Sequence, residues 1–352
     1  MKKSLLILLT LVLSVFISAC SGNTSTSGTG NENTSGGSSS EEKDSSNGEM
    51  PTVNVAYMPD IHGAAPLVIA QEKGYFKEAG INVNLVKFNS GPPEFQAMAA
   101  GDIDIAYIGP GATFLSAQGQ GDIIAVDSLN TGDMVLATKK SGVKEVKDLE
   151  GKTVGVPKGT SGDMVLSLAL ENAGVDPGKV NMVNMEVAGV VSAFIAEKVD
   201  AVAIWSPYTN EIVKQVGEEN IVKLADNTDF FPDYVFPQSW VVSPKYLKEN
   251  EDSVTKFLEA WTKANDFRHE NIEETVKMTA EFTGIDEESL TVQVGTTEFL
   301  SSKEIQEKFN DGSAKKWYEN LQKLFVKNGK MEEVIDANEF ISPEPFNNAV
   351  KD

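Results

Sequence analysis

The chain has 352 residues, 41% hydrophobic and 23% charged, with a formal net charge of -22 at pH 7. Such acidity argues against nucleic acid and against broad adhesion to anionic lipid, and the length suffices for two lobes with a core each. The single cysteine excludes an intrachain disulfide, and two histidines, His62 and His269, leave little for a metal site; none is expected.

Met1-Lys-Lys followed by the apolar run Leu5 to Ala19 has the charged and hydrophobic regions of an export signal and is too short to span a membrane. It ends in Ile17-Ser18-Ala19-Cys20, the pattern of a bacterial lipoprotein signal, in which the thiol is acylated and becomes the new N-terminus. Residues 1–19 are read as signal and Cys20 as the lipidation site, which predicts a protein anchored by lipid at the extracytoplasmic face of the membrane. Residues 20–49 form a Ser/Gly tether, since Ser21 to Glu49 has no large apolar residue to offset the entropy of ordering it; as a coil it spans on the order of 30 Å.

The globular part opens with a strand at Thr52–Tyr57, a loop Met58-Pro-Asp-Ile-His-Gly63, a helix from Ala64 to Glu72 and a strand from Ile81 to Phe88. Ser90 and Gly91 then suit a helix N-cap and Pro92 a first helical residue; Phe95, Met98 and Ala99 share a face, and Gly101 stops the helix. Asp102 to Ile108 alternates like a strand and ends at Gly109-Pro110-Gly111, before another helical pattern from Ala112 to Gln118. Both turns leave backbone N–H groups free at a helix N-terminus, where an oxyanion can be held without a charged side chain.

The same plan recurs about a hundred residues later. Lys152 to Gly174 runs strand, Gly-rich loop, helix and Ala-Gly stop; strand Val180 to Glu186, helix Ala188 to Glu197 and strand Val199 to Trp205 follow. Strands alternating with helices imply two α/β lobes with largely parallel sheets, whose ligands bind beyond the carboxyl ends of the strands, in the cleft between the lobes. Asp133–Thr138 and Gln238–Ser243 are read as the two crossovers, which gives residues 51–138 and 237–352 to lobe 1 and 139–236 to an inserted lobe 2. The tail from Glu249 is helical, with Phe257, Trp261, Phe267, Trp317, Tyr318 and Phe325 as core residues.

No Walker loop, dinucleotide fingerprint or nucleophile elbow is present, so neither a cofactor nor catalysis is expected. Arg268 is the only arginine and lies in the tail, so an anion in either turn must be held by N–H groups and hydroxyls. The set available is Ser90, Gly91, Gly109, Gly111 and Thr113 from one lobe with Gly159, Thr160 and Ser161 from the other. Lys158 can add charge, and Trp205 can cover an organic group or fill the core. Asp60, Glu94 and Asp163 can hold an ammonium, although the last two equally answer a helix dipole. A hydrolase using His62 as base is the rival from another class.

The stretches Ser90-Gly-Pro-Pro-Glu94, Ala100-Gly-Asp-Ile-Asp104, Asp148-Leu-Glu-Gly-Lys152, Lys158-Gly-Thr-Ser161 and Val199-Asp-Ala-Val-Ala-Ile-Trp-Ser-Pro-Tyr208 resemble the solute-binding proteins of ABC importers for aliphatic sulfonates, nitrate, taurine and related compounds. The resemblance implies a type II periplasmic-binding-protein fold, two α/β lobes joined by two crossover strands, closing on one ligand and presenting it to a membrane permease. In sulfonate binders the acid group sits at the positions of Ser90-Gly91, Gly109 and Thr160-Ser161, and the tryptophan at Trp205 lines the cleft. Asp60 and His62 join the binding set. The expected ligand is a small organic anion, an aliphatic sulfonate first; nitrate, taurine, a pyrimidine or thiamine precursor and other neutral or cationic ligands are the alternatives. The cysteine-rich motif of the pyrimidine-precursor branch is missing. A monomer is expected.

Overall fold

The computed structural model describes residues 50–350; the signal, Cys20 and the tether lie outside the described residues. Within them the chain forms β1 (Thr52–Tyr57), β2 (Asn82–Lys87), β3 (Ile105–Ile108), β4 (Asp122–Asn130), β5 (Asp133–Thr138), β6 (Thr153–Val156), β7 (Asn181–Asn184), β8 (Ala201–Trp205), β9 (Ile221–Asp226), β10 (Pro237–Val242) and β11 (Thr297–Phe299). The helix Gly91–Ala100 begins beside its two prolines and ends where Gly101 adopts φ 83°, a left-handed conformation that costs glycine nothing.

Two sheets result, ordered β2-β1-β3-β10-β4-β11 and β7-β6-β8-β5-β9. In each, three strands run parallel, β1 with β2 and β3, β6 with β7 and β8, and the next strand, β10 or β5, enters antiparallel between the third strand and the last of the shared plan. That inserted strand is in both cases the first one the chain makes after crossing from the other sheet. The sequence division is corrected at this point. Asp133–Thr138 pairs with β8 and β9, so the first crossing falls at Thr131-Gly132: the Thr131 N–H bonds Thr296 at 2.8 Å, while the Gly132 carbonyl accepts from Ser206 at 3.1 Å. An apolar run buried on both faces shows that it is a central strand, and nothing about which sheet claims it.

The strands β4 and β9 have no counterpart in the sequence reading, and β11 interrupts the tail that was expected to be wholly helical. The rest of the tail is largely helical, and its long helix Glu251–Glu270 packs on Ala65–Glu72 beneath the first sheet. Phe257, Trp261, Tyr318 and Phe325 are buried there, with Phe267 and Trp317 half-buried against the same core. None of the six reaches the cleft cavity. Among the described residues no helix is long and apolar enough to cross a membrane.

Candidate ligand-binding site

Ser90 and Gly91, at the start of the helix Gly91–Ala100, share one cavity with Thr160 and Ser161, at the start of the helix Ser161–Ala173. Tyr107, Gly109, Pro110 and Ala112 add the end of β3 and the turn after it, and Trp205 and Ser206 the end of β8. The cavity offers about 30 Å³ to the centre of a water-sized molecule, room for two or so, so it fits a compact head group. Proline at 92 and 93 removes two of the donors that the first turn of the first helix would leave unpaired, and that of Gly91 remains there; the second helix keeps those of Ser161, Gly162 and Asp163. Both ends carry the positive end of a helix dipole.

The hydroxyls divide. Thr160 donates to the Pro157 carbonyl at 2.6 Å and Thr113 to that of Pro110 at 2.8 Å, so both protons are spent on their own turns. Ser90 makes no side-chain cap bond and is buried at the cavity wall, where its proton is free to donate. Thr113 and Gly111 do not line the cavity, nor does Gly159, whose N–H goes to Asp163 at 2.9 Å. The other eight ligand-binding positions named from sequence, Asp60, His62, Ser90, Gly91, Gly109, Thr160, Ser161 and Trp205, all do.

The lobes are closed on this cavity. A Cβ on Gly111 would stand 2.0 Å from the Thr160 carbonyl carbon, so the turn after β3 lies directly on the peptide that begins the opposite helix. Lys330, from the tail, reaches across to Asp163 at 2.7 Å, which together with Gly159 accounts for that carboxylate and removes it from the ammonium candidates. Lys158 is exposed, and only its backbone N–H is engaged, by Asn184.

A buried clamp holds the loop that carries Asp60 and His62. The Arg268 guanidinium, fully buried, donates to both Asp127 oxygens at 3.1 and 3.2 Å, to Asn265 at 2.6 Å and to the carbonyls of Ile61 and His62 at 3.3 Å, and lies 4.6 Å from the Phe299 ring centre. Gln293 accepts from the Ile61 N–H at 2.9 Å, and Asp60 Oδ1 accepts from those of His62 and Gly63 at 3.0 and 2.7 Å. His62 faces Ser128 at 3.1 Å on Nδ1 and Thr297 at 3.4 Å on Nε2. His269 is exposed.

Carboxylates dominate the electrostatics. Burial raises Asp60 and Asp133 to about 6 each; opposing pulls come for Asp60 from His62 and two N–H bonds, and for Asp133 from the nearby Ser161 hydroxyl and from the Asn227 amide. Burial, then the charge of Asp60, pushes Glu94 well above the carboxylate range. Burial also works against Asp127, but Arg268 and His62 more than offset it and hold that carboxyl below its ordinary value. Because Asp60 and Asp133 keep their protons longer in the fold than in the unfolded chain, the stability they contribute is complete below about pH 4 and lost as the pH rises to about 6. The rise for Asp133 from 3.8 to about 6 corresponds to about 3 kcal/mol. Urea unfolding at pH 4.5 and 7.0 is therefore expected to show a smaller loss of stability in Asp133→Asn than in the parent protein; equal losses would remove Asp133 from this account.

Sequence reasoning missed Met58, Tyr107, Asn130 and Gln238 at the cavity wall, and the Arg268–Asp127 pair behind it. Asn130 closes β4, whose run Ile123-Ile-Ala-Val126 between Gly121 and Gly132 is a legible strand signal.

A family model described as NMT1/THI5 like matches residues 62–275. The chain belongs to that family. A curated relative from Brucella abortus (strain 2308), provisionally named a binding protein, is 37% identical over 84% of this chain and 91% of its own length. Another from Bacillus subtilis (strain 168), provisionally named an aliphatic sulfonates-binding protein, is 29% identical over 67% of this chain and 72% of its own. Among solved structures, the periplasmic aliphatic sulphonate binding protein SsuA from Escherichia coli superposes with a TM-score of 0.63 at 21% identity, covering 83% of this chain and 92% of that one. The likeness to that structure gives the type II periplasmic-binding-protein fold.

Proposed function

We propose that this protein is the ligand-capturing component of an ABC importer, anchored through Cys20 at the extracytoplasmic face of the membrane, and that it closes on a small organic anion, an aliphatic sulfonate in the first instance, and hands it to the permease without changing it. The observation that carries this reading is the convergence of two helix N-termini, at Ser90-Gly91 and at Thr160-Ser161, on one enclosed cavity. A sulfonate has three acceptor oxygens and no proton to give, and the walls answer with N–H groups, the Ser90 hydroxyl and two dipoles. The Bacillus subtilis relative and the SsuA neighbour, both named for sulfonates, support it.

Geometry counts against the hydrolase. Of the two hydroxyls that His62 faces, Ser128 is fully buried and donates to Asp127 at 2.9 Å, Thr297 donates to the Gln293 carbonyl at 2.7 Å, and neither lines the cavity. Thermal denaturation against a panel of alkanesulfonates, nitrate and carboxylates tests the reading, since a ligand at a hundredfold excess over its Kd stabilises by about 2.7 kcal/mol, several degrees for a body of this size. Ser90→Ala is expected to weaken the best sulfonate by about 1–3 kcal/mol, the cost of one charge-assisted hydrogen bond, with the ligand-free melting temperature nearly unchanged. A panel in which no anion shifts the melt would overturn the reading.

A further inference from the structure

Among the described residues three lysines form ion pairs between the lobes. Lys214 meets Asp286 and Glu288 at 2.8 and 3.0 Å, Lys327 meets Glu171 at 2.5 Å, and Lys330 meets Asp163 at 2.7 Å. The pairs of Lys214 and Lys327 lie largely in solvent, where screening and side-chain entropy leave such contacts worth little. The side chains of Lys330 and Asp163 are only 19% and 9% exposed, so water and salt weaken their attraction less. A helix end sets the position of Lys330. Gly329 adopts φ 69° after the helix Ser313–Lys327, its N–H bonds the Val326 carbonyl at 3.0 Å, and the Lys330 N–H bonds that of Phe325 at 2.9 Å, the two bonds of a Schellman end. Gln118 donates to the Lys330 carbonyl at 2.9 Å, and the ammonium stands 5.4 and 5.8 Å from the ring centres of Phe114 and Phe325. With the backbone already fixed, holding this lysine against Asp163 costs little further entropy.

Asp163 is the acidic residue in the first turn of the helix Ser161–Ala173, whose start lines the cavity, and its Oδ2 accepts from both Gly159 and Lys330. A carboxylate there without a counter-charge repels an anion held by the same turn. Neither Lys330 nor Asp163 lines the cavity, so the pair acts on a ligand through charge and lobe position alone. We propose that Lys330 is a positioning residue for ligand capture: it reaches Asp163 only when the lobes close, and there it latches the closed state and cancels the charge that opposes the anion. This role rests on the reading of the turns as the anion site. Closure and anion binding then strengthen one another. A ligand enters the open protein, in which the pair is apart, so the latch leaves the rate of entry alone and sets the lifetime of the closed complex.

Stopped-flow tryptophan fluorescence tests this role, with Trp205 at the cavity wall as reporter and ethanesulfonate and nitrate as probes. Lys330→Met is expected to raise the dissociation rate of the bound probe roughly 5- to 30-fold, with the association rate within about twofold of the parent. Lys330→Arg keeps the charge and should restore most of the lost lifetime. In an Asp163→Asn background, which keeps an acceptor for Gly159 but no charge, the same Lys330→Met change should move the dissociation rate by less than about threefold. Lys327→Met, which removes an exposed pair between the same two helices, should change either rate by less than about twofold. An unchanged dissociation rate in Lys330→Met, an equal loss in both backgrounds, or a loss carried by association overturns the latch and leaves the anion reading standing. A parent protein that takes up neither probe overturns the anion reading and the role of Lys330 with it.

Discussion

Gly111→Ala is expected to weaken ligand binding by about 100-fold or more while leaving the ligand-free protein folded and its melting temperature little changed. The added methyl would lie 2.0 Å from the Thr160 carbonyl carbon, 2.1 Å from its oxygen and 2.3 Å from the Ser161 nitrogen. Carbon atoms in contact sit about 3.5–4.0 Å apart, and here the obstacle is backbone at a helix start, which cannot turn aside as a side chain would. The lobes must stop more than about 1 Å short of the closed state. An anion held from both sides then loses its bonds to one of them, at about 1–3 kcal/mol for each charge-assisted bond. The three nearest atoms to the added methyl all belong to the opposite lobe, so the clash that matters runs across the cleft. Small-angle scattering separates the causes: the parent protein contracts on saturation with its best ligand and the variant does not. Gly109→Ala serves as the contrast for closure, because its Cβ would meet only Ser161 Oγ, at 3.8 Å. A Gly111→Ala protein that contracts and binds like the parent would mean that this closed contact is not part of the bound state.

The features legible in the sequence are those whose causes are local. The helix Gly91–Ala100 starts and stops where Pro92 and Gly101 say, because caps and fixed dihedrals act within a turn, and the recurrence of strand, small-residue turn and helix at Thr153–Ala173 shows a second lobe for the same reason. Ser90, Gly91, Thr160 and Ser161 could be named together because two helix N-termini announce themselves separately, and a shared cavity needs only that the lobes face each other. Pairing is not local. Asp133–Thr138 looks the same whichever sheet takes it, and Gln238 and Asn130 reach the cavity only because β10 and β4 come to lie side by side. Arg268 is the extreme case: a charged residue in a charged helix, 141 positions from Asp127, reads as surface until the fold buries both.

That pair sets up the other large effect. Arg268→Met is expected to destabilise the fold by about 3–5 kcal/mol, read as a drop in the urea midpoint, because removing one partner leaves the Asp127 charge buried without compensation. The remaining neighbours of Asp127 cannot carry it: Ser128 at 2.9 Å and Trp240 Nε1 at 3.3 Å are neutral donors, and His62 stands at 3.6 Å. Arg268→Met with Asp127→Asn should recover a good part of the loss, since the neutral amide keeps an acceptor for Trp240 and needs no counter-charge; the double-mutant cycle is expected to show a coupling of roughly 1–3 kcal/mol. Binding should not recover in step. The carbonyls of Ile61 and His62 lose their donor in both proteins, so the loop that presents Asp60 keeps Gln293, the contacts of His62 with Ser128 and Thr297 and its own turn, but not the clamp. Equal stability of the single and double variants would show that Asp127 needs no counter-charge, and full binding in the double variant would show that the loop does not depend on the clamp.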